Sequence, residues 1–341
     1  MKWMISMRSI FRKPKNFMPD TTLERSILRG HKDAVICISQ SGDSLILASS
    51  SDDGTARVWD IRTKMSAVRL LKLPESSGDI GTCRVTEHSV YVSSGSSLFS
   101  FDLRASNSVV LSQARATYCC ADQSDDLNDF DINGCTIAVP TDSGKIRLIS
   151  TKDLRETSIV QSHSNIVAAC RFLPSGSNIV SGGYDCNVAT MKLDSCGARV
   201  ERTFPIASLI PVDEDQQSNP SQSVNPPFVT CIDVSTEQVV LGSGDGSIVV
   251  ADLKKGGSRI ENRRIAWGGA CVHPVSVSSV AFGDNRSVWS VGNDSVLINM
   301  SETQINIRYP IGFKPNSVAS LGDGRVAVGG MSDEIHLLQF R

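Results

Sequence analysis

The feature that most limits how this chain can fold is a spacing that recurs about every 45 residues across residues 22–341. Each copy sets an aspartate in a tight turn, six positions before a fixed point in a short alternating run. The fullest copy runs Gly30-His31, the strand-like stretches 35–38 and 45–48, the turn Asp53-Gly54, and 56–60 ending Trp59-Asp60. Asp185 leads in the same way to Met191, with His163 upstream, and Asp294 to Met300, with His273 upstream. Asp245 leads to Ala251 and Asp333 to Gln339, while Asp142 fits with one residue of slack. The unit over 89–102 lacks the turn aspartate but keeps the ending Phe101-Asp102. The spacing therefore predicts seven all-β units. A unit this small cannot bury its own faces, so such units must stack on one another. A ring of them has to close or leave an open strand edge. The strand-like segment 22–28 is expected to close it, as the outermost strand of the last unit, beside 334–340.

The Gly30-His31 start and Trp59-Asp60 ending resemble the WD-repeat family. That resemblance implies a seven-bladed β-propeller and a buried, hydrogen-bonded set of His, Ser or Thr, Asp and Trp. Here the set falls on His31, Asp53, Trp59 and a serine, Ser49 or Ser51, with Ser51 taken as the member. A Trp N–H, an imidazole and a carboxylate buried together must satisfy one another. Stretches 142–148 and 162–174, with the proline-rich segment before the fifth unit, also resemble one individual member of that family.

Little in the rest of the sequence points to chemistry. The net charge of −2 provides no field for nucleic acid or an anionic membrane. Nor does any apolar run approach the roughly 18 residues of a membrane span. The ten cysteines contain no Cys-x-x-Cys pair and read as reduced thiols of an intracellular protein, in cytoplasm or nucleus. No metal or cofactor is expected. His31, His163 and His273 sit at or near the repeat's Gly-His slot, and no Gly-x-Ser-x-Gly elbow is present, so no catalytic residue is assigned. Gly242-Ser-Gly-Asp-Gly246 faintly resembles a phosphate loop, but it falls at a repeat turn and precedes a strand. Residues 1–20 are basic and apolar and read as a disordered extension outside a propeller over 21–341, an organelle presequence being the alternative. Residues 212–227, rich in proline and polar residues, read as a mobile loop insertion.

One motif rises above scaffold duty. Trp59-Asp60-Ile61-Arg62 resembles the box of cullin-4 ubiquitin-ligase substrate receptors, and Phe101-Asp102-Leu103-Arg104 is a second, weaker copy. The resemblance implies that Asp60, Arg62, Asp102 and Arg104 contact the ligase adaptor while another surface holds an unknown client. Both arginines are expected on one face, exposed and without an internal partner. The rival reading is a general assembly scaffold with no ubiquitin role. An enzyme has no residue constellation to support it.

Overall fold

A computed structural model describes residues 23–42, 45–62, 67–74, 79–105, 108–195, 197–209, 225–254, 256–258, 260–302 and 304–341, with backbone alone for 67–68 and 261–271. The extension 1–20 lies outside the described residues, as does 210–224, which takes in nearly all of the expected insertion.

The chain runs in short strands that hydrogen-bond into seven separate sheets, or blades. From the innermost strand outward, blade 1 is Val35–Gln40, Ile46–Ser51, Thr55–Asp60 and Ala67–Lys72. Blade 2 is Ile80–Val85, Ser89–Ser94, Ser97–Asp102 and Ala116–Cys119. Blade 3 is Asp131–Asn133, Thr136–Pro140, Lys145–Ser150 and Glu156–Gln161. Blade 4 is Val167–Phe172, Asn178–Gly183, Asn187–Asp194 and Gly197–Pro205. Blade 5 is Val229–Val234, Gln238–Ser243, Ser247–Leu253 and Ile260–Cys271. Blade 6 is Val277–Phe282, Val288–Gly292, Val296–Met300 and Ile305–Pro310. Blade 7 is Pro315–Gly322, Arg325–Gly330 and Ser332–Phe340, completed by the amino-terminal strand Leu23–Arg29.

That last pairing closes the ring. Leu23 lies opposite Phe340 and Arg29 opposite Glu334 in a continuous antiparallel register. The strand expected over 22–28 thus forms one residue later and on the expected partner. Blade 1 departs from the four-stranded expectation. Val110–Leu111, in the long connection after the third strand of blade 2, adds to its outer edge in parallel, at Leu70 and Leu71. A β-branched run beside an uncovered strand edge supplies the pairing that edge lacks.

Burial follows position in the blade. The second strands Ser89–Ser94, Asn178–Gly183 and Gln238–Ser243 are buried at every residue, because a neighbouring blade covers each face. The outer strand Glu156–Gln161 alternates between exposed and half-buried residues at the rim. Among the described residues each gap between blades holds an apolar cluster. The cluster at the closing seam brings Leu28 from the amino-terminal strand together with Leu47 and Trp59 of blade 1 and Leu321 and Ile335 of blade 7. Polar staples join neighbouring inner strands: Asp131 accepts the Phe172 amide at 2.8 Å, Asp233 the Phe282 amide at 2.8 Å, and Ser317 the Ile38 amide at 3.0 Å. The run ending at Gly246 is a blade turn. Its φ of +86° is left-handed, and a Cβ there would meet the His273 carbonyl at 2.0 Å, so only glycine fits.

Candidate protein interface

The third strand of blade 1 carries both a structural signature and a candidate contact. Asp53, in the turn before it, and Trp59, near its end, belong to the signature: Trp59 Nε1 donates to Ser49 Oγ at 2.8 Å, Ser49 Oγ lies 2.7 Å from His31 Nε2, and His31 Nδ1 lies 3.0 Å from Asp53 Oδ2. With the indole N–H given to Ser49, the serine's own proton goes to His31 Nε2, which leaves Nδ1–H to donate to Asp53. Trp59 is 1% exposed and the Asp53 side chain 7%. Burial alone would raise the Asp53 carboxyl, but bonds from His31 and Thr55 outweigh it and hold the group down to about 2.

The serine of the set is Ser49, which corrects the choice of Ser51. Trp59 lies opposite Leu47 in the ladder, so Ser49 is the next residue on the same face. Ser51 is a further step of roughly 7 Å along the strand and out of the indole's reach. Its hydroxyl instead donates to the Asp33 carbonyl at 3.0 Å and accepts the Asp53 amide at 3.2 Å, fastening the turn.

The set recurs where the repeat is weaker in sequence. In blade 4, His163 joins Asp185 at 2.9 Å and Ser181 at 2.9 Å; in blade 6, His273 joins Asp294 at 2.9 Å and Ser290 at 3.0 Å. Met191 and Met300 fill the Trp position with apolar volume. Blade 3 uses another solution. Asp125, from the loop before the inner strand, pairs with buried Arg147 at 3.0 Å and accepts the Ser143 amide at 2.8 Å. The one residue of slack at Asp142 has this origin: Asp142 binds the Asn128 side-chain amide at 2.8 Å, and the buried acid is Asp125.

At the far end of the third strand stand the candidate contacts. Arg62 binds Asp60 through both fork nitrogens, Nε to Oδ1 at 2.8 Å and Nη2 to Oδ2 at 2.5 Å. Arg104 repeats this on Asp102 at 3.1 and 3.2 Å. The arginine side chains are 67% and 62% exposed, at the same turn of adjacent blades. The expected exposure is present; the expected lack of an internal partner is not. Each aspartate already caps its turn by accepting the arginine's own amide, at 3.0 and 2.9 Å, and this folds the side chain back onto the same carboxylate. The side-chain bond from Arg104 holds Asp102 down to about 2, and Arg62 lowers Asp60 in the same way. Only part of each guanidinium's set of five N–H donors is used.

Sequence reading missed a third cation at this turn. Asp60 lies opposite Ile46, Asp102 opposite Ser89 and Ser150 opposite Thr136, each pairing the last residue of a third strand with the first of a second strand. Ser150 therefore stands where blades 1 and 2 have aspartate, and it caps the Lys152 amide at 3.2 Å as the aspartates cap Arg62 and Arg104. Arg115 donates to the Lys152 carbonyl at 2.8 Å, and Arg155, 84% exposed, pairs with Asp153 at 3.5 Å. The usable signal was the repeat spacing itself: three residues past the Trp position, Ile149 leads to Lys152 as Trp59 leads to Arg62.

The inner strands of all seven blades line a central channel of about 560 Å³. In its wall Asp129 bridges Arg84 of blade 2 and Arg171 of blade 4, the latter at 2.6 Å. Burial pushes the Asp129 carboxyl up, and the two guanidinium groups more than offset it. Among the described residues no three His, Cys, Asp or Glu side chains gather as metal ligands, and no helix is long and apolar enough to cross a membrane.

The family model for the WD domain, G-beta repeat matches residues 22–60 and 154–189. Both segments take in an outer strand and end in the next blade, so the sequence repeat is offset from the blade by one strand. A WD repeat-containing protein 53 homolog from Dictyostelium discoideum is 31% identical over 236 residues, covering 66% of this chain and 64% of that protein. Striatin-3 of Mus musculus is 28% identical over 193 residues, 53% of this chain and 24% of its own length. The ribosome biogenesis protein BOP1 of Rattus norvegicus is 40% identical over 60 residues, 17% and 8% of the two chains. The chain thus spans less than two thirds of the length of each of these relatives.

Proposed function

Because the chain belongs to the WD-repeat β-propellers, a family of protein-interaction scaffolds, we propose that it is a substrate receptor that docks on the adaptor of a cullin-4 ubiquitin ligase through the rim of blades 1–3. The observation that carries this reading is the repeated fork. Asp60–Arg62 and Asp102–Arg104 present two oriented, exposed guanidinium groups at one turn of adjacent blades. A guanidinium held by a carboxylate loses little rotamer freedom on binding and offers its remaining N–H groups to an acidic partner. Lys152 and Arg155 extend the same rim onto blade 3, so the contact is a basic arc rather than two points. The client occupies another surface of the propeller, with no cofactor and no nucleic acid involved.

A second reading is favoured by the same geometry. Each arginine is already satisfied by its aspartate, so the forks act only as turn caps in a general assembly scaffold. Capture of the purified adaptor by the full chain separates the two. The receptor reading expects capture by the wild type, loss with Arg62→Ala plus Arg104→Ala, and an unchanged melting temperature. Capture undiminished by the double substitution, or no capture by the wild type, leaves the scaffold reading.

A further inference from the structure

Two cysteines face each other across the seam between blades 1 and 2. Cys37 is on the inner strand of blade 1 and Cys83 on that of blade 2. Their contacts are reciprocal: Cys37 Sγ lies 3.7 Å from the Cys83 carbonyl, and Cys83 Sγ 3.8 Å from the Cys37 carbonyl. Each sulfur thus makes its contact with the other cysteine across the seam. Arg84 Nη1 is 3.5 Å from Cys37 Sγ and 3.0 Å from the Cys83 carbonyl, while its other nitrogen is anchored on Asp129. Cys37 lines the channel and is 9% exposed; Cys83 sits behind it, fully buried.

We propose that Cys37 and Cys83 are a peroxide-responsive pair, in which the Cys37 thiolate attacks a hydroperoxide entering the channel and Cys83 resolves the product to a disulfide joining the two blades. In the first step Cys37 sulfur bonds to the outer peroxide oxygen, the O–O bond breaks, and the other oxygen leaves as hydroxide from hydrogen peroxide or as alkoxide from an organic hydroperoxide, so the sulfur is oxidised to a sulfenic acid and the peroxide reduced. In the second, Cys83 sulfur attacks Cys37 sulfur, and the hydroxyl departs as water with the Cys83 proton.

The surroundings suit each role. The hydrogen bond from Cys83, joined by the Arg84 charge, outweighs burial and holds the Cys37 thiol well below its usual range, against an opposing push from Asp129. Burial, then the hydrogen bond and charge of Cys37, keep Cys83 protonated. Oxidation of Cys37 to a neutral sulfenic acid removes the Cys37 charge, so that burial alone still opposes the Cys83 thiolate that the Arg84 charge favours.

Cys231 is a built-in control. It lines the same channel from blade 5 and is 7% exposed, yet burial pushes it up to about 12, and its sulfur accepts the Thr230 hydroxyl at 3.5 Å. The test is hydrogen peroxide treatment of the full chain, alkylation of remaining thiols and peptide mass spectrometry over time. Cys37 should be consumed roughly tenfold or more faster than Cys231 and appear as a Cys37–Cys83 cross-linked peptide that dithiothreitol reverses. Cys83→Ser should instead stop at a dimedone-trapped sulfenic acid on Cys37. Oxidation of Cys37 no faster than Cys231, or its pairing with a thiol other than Cys83, overturns the proposal. The wild-type comparison decides it even if the variant does not fold.

Discussion

Replacing Ser49 by alanine should destabilise the propeller far more than replacing Ser51, two residues along the same strand. Ser49 is fully buried and serves two other buried groups, the Trp59 N–H and His31 Nε2. Truncation strands both, and a buried polar group without a partner costs about 1–3 kcal/mol, so Ser49→Ala should cost about 2–5 kcal/mol. Ser51 is also buried, but its partners are the Asp33 carbonyl and the Asp53 amide, beside the exposed turn residues Asp52 and Gly54 where water can replace the hydroxyl. Its removal should cost about 1 kcal/mol. Trp59→Ala removes a 1%-exposed side chain from the closing seam and should cost about 3–5 kcal/mol. Because Trp59→Ala also removes the donor that Ser49→Ala would strand, the double variant should be more stable than the sum predicts, by about 1 kcal/mol or more. Urea denaturation followed by far-ultraviolet circular dichroism, compared at constant m, reads all four. A Ser51→Ala loss equal to or above that of Ser49→Ala would refute this account of the signature.

Deletion of residues 1–29 should lower the melting temperature well below that of a 1–22 deletion, since it removes Leu28 from the closing seam and opens the Ser332–Phe340 edge; equal temperatures argue against the closure. Alanine at Arg62 and Arg104 should change folding stability by no more than about 0.5 kcal/mol while abolishing adaptor capture, and Lys152→Glu should weaken capture and flatten its loss with added salt. Asp53, Asp185 and Asp294 all lie below their usual range when folded. Depressed carboxyl values give stability that is present above the unfolded value and lost as pH falls through the folded one. For Asp53 that loss runs from about pH 4 to about pH 2, and Asp53→Asn should flatten the acid limb of a stability–pH curve.

Where the sequence was legible, a physical constraint repeated. The turn aspartate and the alternation around it recur because every blade has to turn between the same two buried strands, so seven blades and the closing strand could be counted without most of the tryptophans. Ser49 and Ser51 could not be told apart because both are small, on one face and near the turn; only the register of Leu47 opposite Trp59 separates them. Asp125 was hidden because the buried acid of blade 3 comes from a loop upstream and is balanced by Arg147, a pairing with no counterpart in the fullest repeat. Lys152 was hidden because its cap is a serine, and a search for Asp followed by Arg passes over Ser150-Thr151-Lys152.

The two ends of the third strand explain why a rim contact can diverge while the ring persists. Asp53, at the entrance to Thr55–Asp60, faces His31 in the interior, whereas Arg62 stands beyond its exit in solvent. At roughly 3.3 Å per residue the six-residue strand separates them by about 20 Å, beyond a Debye length of about 8 Å at physiological salt. Substitutions at the rim therefore leave the His31–Asp53 pair untouched, and Trp59, three residues before Arg62, is the member of the set that stands next to the rim while remaining 1% exposed. Blades 4 and 6 keep His163–Asp185 and His273–Asp294, yet neither carries an Asp–Arg fork at the matching turn, where blade 4 has Asp194. The signature holds the ring together wherever it occurs. The cation beyond the exit of the third strand varies from blade to blade, and it is this variation that gives one rim of the propeller a direction.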